Sequence, residues 1–207
     1  MELNLQLIGT ENFVRRIRMR QRDKLNKYNN IINTMVKISN IFPKIFYKHI
    51  LKIFRNLDNK VGIFIRYICL KNLCKECGDN VAVFSGVYLL NIEKLSLGNN
   101  VSIHPMCYID AYGGIKIGDN VSIAHSTTIM SSEHIHKDIN INIKDQGCKK
   151  KFTNIESNVW IGSGSRILAG SNIEKGSIVA AGAVVNKVVG EFTIVGGIPA
   201  KFIKERM

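Results

Sequence analysis

An aliphatic residue returns at nearly every sixth position between Cys77 and Gly190. The longest unbroken run is Ile155, Ile161, Ile167, Ile173, Val179 and Val185. The same beat passes through Leu97, Ile103 and Ile109, then Ile117, Ile123 and Ile129, and earlier through Cys77, Val83 and Leu89. Small residues often follow the aliphatic one, as at Gly98, Gly118, Gly162 and Ala180. Small or β-branched residues stand four places on at Val101, Val121, Thr127, Ser165, Ser171, Ser177 and Ala183. Six is neither the helix period nor the alternation of a half-buried strand.

A period of six belongs to parallel β-helices built from hexapeptide repeats, where each hexad supplies one short strand and one corner. Three hexads close a triangular coil. Cys77, Leu97 and Ile117 are twenty residues apart, because Leu95-Ser96 and Ile115-Lys116 each add a two-residue step; Ile155 and Ile173 are eighteen apart, with no step. Five coils follow, starting at Cys77, Leu97, Ile117, Ile155 and Ile173. The inward aliphatics stack into an apolar ladder, each contributing roughly 1.5–3 kcal/mol. One coil cannot bury its own interior, so the array stabilises itself by stacking. A β-sandwich would alternate at two and would not hold a sixfold phase across so many strands.

Residues 131–154 break the beat with a polar stretch rich in Asn and Lys that holds two of the five histidines. A long loop on a rigid scaffold is where functional groups collect. Upstream, residues 11–40 read as a helix with Arg15, Arg16, Arg18, Arg20 and Arg22 near its start. Residues 42–57 read as an amphipathic helix with Phe42, Ile45, Phe46, Ile50, Ile53 and Phe54 mostly on one face and Lys44, Lys48, Lys52 and Arg55 towards the other. This helix is expected to cap the open first coil; contact with a membrane surface is the second reading. Residues 61–71 continue as helix into the first coil. After Val185 the beat decays, Phe192–Ile198 reads as extended, and Pro199–Met207 as a short basic helix with Pro199 in its first turn. The expected organisation is a basic helical region over 1–75 and a repeat domain over 76–207, with the loop at 131–154.

Charge sharpens that division. Residues 1–75 carry 16 Lys and Arg against 4 Asp and Glu, a net of +12, whereas residues 76–207 carry 13 against 12. Such an arm is attracted to anionic lipid, acidic polymer or nucleic acid. Five cysteines at irregular spacing argue against a disulfide framework and for a reducing compartment. Cys74 and Cys77 form a lone C-x-x-C, and Cys77 falls on the beat, which makes it an interior side chain rather than a zinc ligand. Met1–Leu25 lacks the apolar core of a signal peptide, and no apolar run approaches the ~20 residues of a spanning helix. A cytoplasmic location, with contact at the inner face of the membrane through the basic helices, is the expectation. Gly-Ser-Gly-Ser and Ala-Ala-Gly-Ala lack the spacing and setting of a dinucleotide fingerprint.

The segment NVWIGSGSRILAGSNIEKGSIVAAGAVVNK followed by IVGGIPAKFIK resembles the end of the hexapeptide-repeat acyltransferases. Within them it is similar to the galactoside and maltose O-acetyltransferase type, and to the O-acetyltransferases of bacterial capsule and surface polysaccharide clusters, a likeness to which SSEH and IKDQG in the loop add. The resemblance covers about residues 62–207. It implies a mainly β protein, a left-handed parallel β-helix, assembled as a homotrimer with active sites between neighbouring subunits. It implies transfer of an acetyl group from acetyl-CoA to a sugar hydroxyl of a polysaccharide or its precursor, with no metal and no nucleic-acid partner.

A sugar hydroxyl needs a base within hydrogen-bond reach, and histidine suits the task near neutral pH. His134, in SSEH, matches the family's catalytic histidine. A lone loop histidine is otherwise a solvent-exposed bystander, and His136 is the next candidate. His104 and His125 take outward positions on the second and third coils and, with Asp110 and Tyr112, are candidates for the acceptor site. By resemblance, the Ser163 backbone N–H would stabilise the oxyanion, Trp160 would flank the cofactor arm, and backbone near Ala181 and Gly182 would bind the pantetheine amides. Lys187, Lys201 and Lys204 match basic positions near the nucleotide phosphates. Lysine stands at 201 and 204 where the galactoside type tends to have arginine, and supplies charge without a bidentate fork.

Two other classes remain in view. A zinc enzyme on the same fold needs three histidines in a fixed pattern, which His104, His125, His134 and His136 do not reproduce. A non-catalytic scaffold would not need an intact NVWIG with a basic cluster beyond it. Within the acyltransferases, nucleotide-sugar N-acylation is the alternative to O-acetylation.

Overall fold

A computed structural model of the chain describes residues 34–35 and 42–207. The expected helix over 11–40 with its arginines therefore lies, but for residues 34 and 35, outside the described residues. Helices α1 (Lys44–Ile53) and α2 (Lys60–Leu73) precede the coils. The first coil holds β1 (Glu76–Cys77), β2 (Ala82–Val83) and β3 (Tyr88–Leu90); the second β4 (Leu95–Leu97), β5 (Ser102–Ile103) and β6 (Tyr108–Asp110); the third β7 (Ile115–Ile117), β8 (Ser122–Ile123) and β9 (Thr128–Met130). A hairpin of β10 (Ser132–His134) and β11 (Cys148–Lys150) then leaves the body. The fourth coil holds β12 (Thr153–Ile155), β13 (Trp160–Ile161) and β14 (Arg166–Ile167), the fifth β15 (Asn172–Ile173), β16 (Ile178–Val179) and β17 (Val184–Val185). A sixth, incomplete turn adds β18 (Val188–Val189) and β19 (Thr193–Gly196), followed by β20 (Lys201–Glu205).

The strands stack into three parallel faces: β1-β4-β7-β12-β15-β18, β2-β5-β8-β13-β16-β19, and β3-β6-β9-β14-β17. This is a parallel β-solenoid, consistent with the left-handed β-helix that the resemblance implied. The register follows the beat: Cys77 stands beside Leu97, Leu97 beside Ile117, Ile117 beside Ile155 and Ile155 beside Ile173. Ile103, Ile109, Ile123, Ile129, Ile161 and Ile167 are wholly buried.

The corners explain the residues between the aliphatics. At the edge between first and second faces Asn80, Asn100, Asn120 and Asn158 all take positive φ, which asparagine tolerates better than most residues. Their side chains form a ladder, Asn80 Nδ2 donating to Asn100 Oδ1 at 2.9 Å and Asn100 Nδ2 to Asn120 Oδ1 at 3.1 Å. The buried small hydroxyls close their own corners: Ser165 Oγ donates to Gly162 O at 2.8 Å, and Ser177 Oγ to Glu174 O at 2.7 Å.

Two expectations are corrected at the end of the chain. The coils number five and a partial sixth, because the turn from Ile173 to its neighbour Val189 contracts and shifts the phase of the beat. The tail is a strand, not a helix: β20 pairs antiparallel with β19 and satisfies the open edge of the last turn.

At the other end α2 covers the first coil with Tyr67, Leu70 and Leu73. Arg66 ties this cap together, its buried guanidinium donating to Val83 O at 2.8 Å, Phe54 O at 2.8 Å and Leu57 O at 3.1 Å. The apolar stripe of α1 is covered only in part. Tyr47 is buried and Ile50 packs on the core, but Phe42, Ile45, Phe46 and Ile53 are exposed. Cys77 is only half-buried, against the core. Among the described residues no helix is long and apolar enough to cross a membrane.

Candidate active site

The candidate residues fall on two edges of the prism. Along the edge between second and third faces, each coil turns through a residue with positive φ: Gly86, Met106, Ser126, Gly164 and Gly182. The residues before them stack, since Ser126 N donates to Pro105 O at 3.0 Å, Gly164 N to His125 O at 3.0 Å and Gly182 N to Ser163 O at 2.8 Å. His125, Ser163 and Ala181 thus form one ridge at the rung spacing of ~4.8 Å. The Gly162 and Gly164 amides donate into the coils, while among the described residues the Ser163 N–H meets no backbone acceptor. Open space lies where a Cβ on Gly164 or Gly182 would sit. A ridge of small residues with an amide turned outward fits an extended amide chain and a developing oxyanion.

The outer side of the second face continues this surface. Ser122, Trp160, Ile178, Ile194 and Lys204 form one row across the sheet. A bulge in β20 puts Lys204 opposite Ile194 and Lys201 opposite Gly196, so both lysines face outward with Trp160. Trp160 is 53% exposed. With Phe84, His104, Ser122, Asn158 and Arg206 it lines a groove of about 660 Å³. His104 stacks on Phe84 at 4.8 Å between ring centres. Lys187 is exposed but sits between β17 and β18, at the edge between third and first faces, apart from Lys201 and Lys204.

His134 belongs to that third-to-first edge. The chain leaves after Ser131 and returns at Lys151, whose N–H donates to Ser131 O at 2.8 Å. Between them Ser132 pairs with Lys150, Glu133 with Lys149 and His134 with Cys148. His134 is exposed, and its Nδ1 lies 3.6 Å from Cys148 Sγ, which leaves Nε2 as the ring nitrogen open to a substrate. His136 turns back, its Nδ1 3.0 Å from His134 O. Glu133 is on the opposite face of the ribbon, paired with Lys151 at 2.6 Å; that ammonium holds its carboxyl below the usual range. Gln146 braces the loop tip, donating to Asp138 O at 2.8 Å and Ile141 O at 2.7 Å. Below the hairpin Asp110 accepts from Asn91 Nδ2 at 2.7 Å and from Tyr112 N at 3.1 Å. Asp110 and Tyr112 therefore share an edge with His134 and His136, while Trp160, Ser163, Ala181, Gly182, Lys201 and Lys204 share the other two surfaces with His104 and His125.

Cys148, Phe84 and Arg206 escaped the sequence reading. Cys148 reaches His134 only through the pairing of Ser132–His134 with Cys148–Lys150 across residues 135–147, which no fixed period marks. The other two stand at no marked position of the beat. Among the described residues no group of three or more His, Cys, Asp and Glu side chains is arranged to hold a metal ion.

Comparison with known proteins agrees with the fold. Residues 152–187 match the family described as bacterial transferase hexapeptide (six repeats). A probable acetyltransferase of Mycobacterium tuberculosis is 36% identical over 78 residues, 38% of this chain and 26% of that protein. The matched stretches span about a quarter of the length of the curated relatives. A maltose O-acetyltransferase from Clostridium difficile superposes with a TM-score of 0.70 at 25% identity, over 79% of this chain and 86% of that one. A hexapeptide-repeat acetyltransferase of Vibrio cholerae complexed with acetyl coenzyme A gives 0.70 at 25% identity, over 78% and 85%. Residues 152–187 are thus hexapeptide repeats of the bacterial transferase type, and the chain is similar in fold and in sequence to the hexapeptide-repeat acetyltransferases.

Proposed function

We propose that the protein transfers an acetyl group from acetyl-CoA to a sugar hydroxyl of a bacterial surface polysaccharide or its precursor. His134 takes the hydroxyl proton on Nε2 as the oxygen attacks the thioester carbonyl. The Ser163 N–H donates to the oxygen that gains charge. The C–S bond then breaks, and the proton passes from the imidazolium to the departing thiolate, so the imidazole ends neutral. The ridge at Ala181 and Gly182 carries the pantetheine arm beside Trp160, with Lys201 and Lys204 near the phosphates.

One observation carries the reading: the imidazole and the cofactor ridge lie on different edges of the same prism. A single copy presents half a site on each, and packing around a threefold axis would set the hairpin of one copy against the ridge of the next. The resemblance to trimeric acetyltransferases with sites between subunits supports that arrangement, and the Vibrio cholerae neighbour with acetyl coenzyme A supports the acyl donor.

The test is thiol release from acetyl-CoA in the presence of surface glycans. Replacement of His134 by alanine is expected to remove about 10²–10⁴ of the rate while coenzyme A still binds. Unchanged turnover would end the assignment of the base, and an absence of coenzyme A binding to the unmodified chain would end the enzymatic reading.

A further inference from the structure

Below the hairpin, on the first face, lies a recess of about 520 Å³ that the proposed chemistry has not used. Lys75, Lys94, Lys116 and Lys150 line it around the rings of Tyr112 and Phe152. Glu76 and Glu93 also line it, and Glu93 is shared with Lys48 at 3.7 Å. Two ammonium groups converge on a single ring, Lys94 Nζ at 4.8 Å and Lys150 Nζ at 4.9 Å from the centre of Tyr112. Lys94 also donates to Tyr112 O at 3.1 Å. The floor is closely packed: a Cβ on Gly113 would strike Ser131 O, and one on Gly114 would meet the Phe152 ring at 3.0 Å. Like charges gathered over an aromatic floor suit an anion that also presents a flat apolar side.

The hairpin links this recess to the base. Residues directly opposite in an antiparallel pair share a face, as do residues two apart. His134, Cys148, Ser132 and Lys150 therefore lie on one side of the ribbon, with Glu133 and Lys149 on the other. Lys150 is one two-residue step from the row of His134, about 7 Å along the strand. A group held at Lys150 and Tyr112 has its neighbouring atoms within reach of His134.

We infer that this recess binds the acidic group of the acceptor, a sugar bearing a carboxylate or phosphate, and so selects anionic over neutral glycans. The inference rests on the proposed acetyl transfer for its meaning but not for its test. The anion has two sources, an acidic residue of a polymer or the diphosphate of a nucleotide-linked sugar, and both present the same chemistry to the lysines.

The experiment is calorimetric binding to the full chain of three probes: an oligogalacturonate, UDP-glucose and a neutral dextran oligomer. At least one acidic probe is expected to bind, more weakly as salt rises, and the neutral one not. Binding of the oligogalacturonate alone identifies the polymer, and binding of UDP-glucose alone the nucleotide-linked sugar. The double variant Lys94→Gln/Lys150→Gln is expected to lose about ten-fold in affinity for the acidic probe, with coenzyme A binding and thermal midpoint unchanged. Binding of neither acid, equal binding of the neutral oligomer, or an unaltered affinity in the double variant overturns the inference. Acid binding that depends on Lys94 and Lys150 without any thiol release would leave the recess standing and remove the transferase reading. Thiol release with neutral glycans, equal in the double variant, would do the reverse.

Discussion

The second-to-third edge and the third-to-first edge both turn the coil from one face to the next, yet they are made differently. The first is periodic, with Ser126, Gly164 and Gly182 in matching conformations and His125, Ser163 and Ala181 in one column. The second breaks after Ser131, sends out a hairpin and gathers charge, with Glu133 and Lys151 paired and Lys94 and Lys150 over one tyrosine. Beyond His125, the stacked edge offers chiefly what a backbone offers, amides and narrow clearance. A side chain that stands off the prism, as His134 does, needs chain that is released from the stack.

The sharpest way to break that comparison is to disable each edge in a different copy. His134→Ala and Ala181→Trp are each expected to be inactive, one lacking the base and one with its ridge blocked. Refolded together, they are expected to regain about a quarter of the activity if one copy's hairpin serves the next copy's ridge. Recovery of none, measured by thiol release, would place both halves in one chain.

Substitution at glycine contrasts the edges in stability. A Cβ on Gly162 would lie 2.5 Å from Ala181 N and 2.8 Å from Ala180 C, both backbone atoms that shift only if two coils part. Gly162→Ala is expected to cost about 2–3 kcal/mol. At Gly147, in the hairpin, nothing lies within 4 Å, and only its φ of +81° opposes a side chain. Gly147→Ala is expected to cost about 1 kcal/mol, which urea denaturation would resolve from the first.

The thiols extend the contrast. Cys107 is sealed inside the periodic edge with its Sγ donating to Ala124 O, and burial pushes its thiol up to about 11. Burial likewise raises Cys69, on the buried face of α2, to about 12. The unfolded chain gives up these protons first as pH rises, so it binds fewer protons than the folded chain in that window and stability falls. Between about pH 9 and pH 11 the loss is expected to be on the order of 2 kcal/mol for each thiol, seen as a falling urea midpoint. A flat profile would mean that the buried thiols ionise freely.

Cys148 is exposed on the hairpin beside His134. Iodoacetamide is expected to modify Cys148 in the native protein and Cys107 only on unfolding. The adduct at Cys148 should lower transfer by about ten-fold, since it crowds a base that needs hydrogen-bond reach. Full activity after complete alkylation would show that the thiol stands clear of the reacting atoms.

Much of this molecule was legible because the inward beat is local information. Ile103, Ile123, Ile161 and Val179 fall on one row of the second face because each stands at its place in a hexad. The last turn was not legible, since Val189 meets Ile173 only after the coil shortens. Lys201–Glu205 carry helix-forming residues, but the open hydrogen-bond edge of β19 overrides that local preference. Cys148 was invisible as a neighbour of His134 because thirteen intervening residues hide the pairing from any fixed period.

The sequence by itself determined the triangular winding and its apolar interior, since a side chain's direction in a hexad depends only on its count from the last aliphatic. Tertiary structure alone decided that His134 and the ridge at Ser163 and Ala181 stand on separate edges, that the tail closes as a strand, and that Lys94 and Lys150 converge on Tyr112. Those outcomes depend on which coils become neighbours and where a released segment comes back, and no local pattern of residues carries that information.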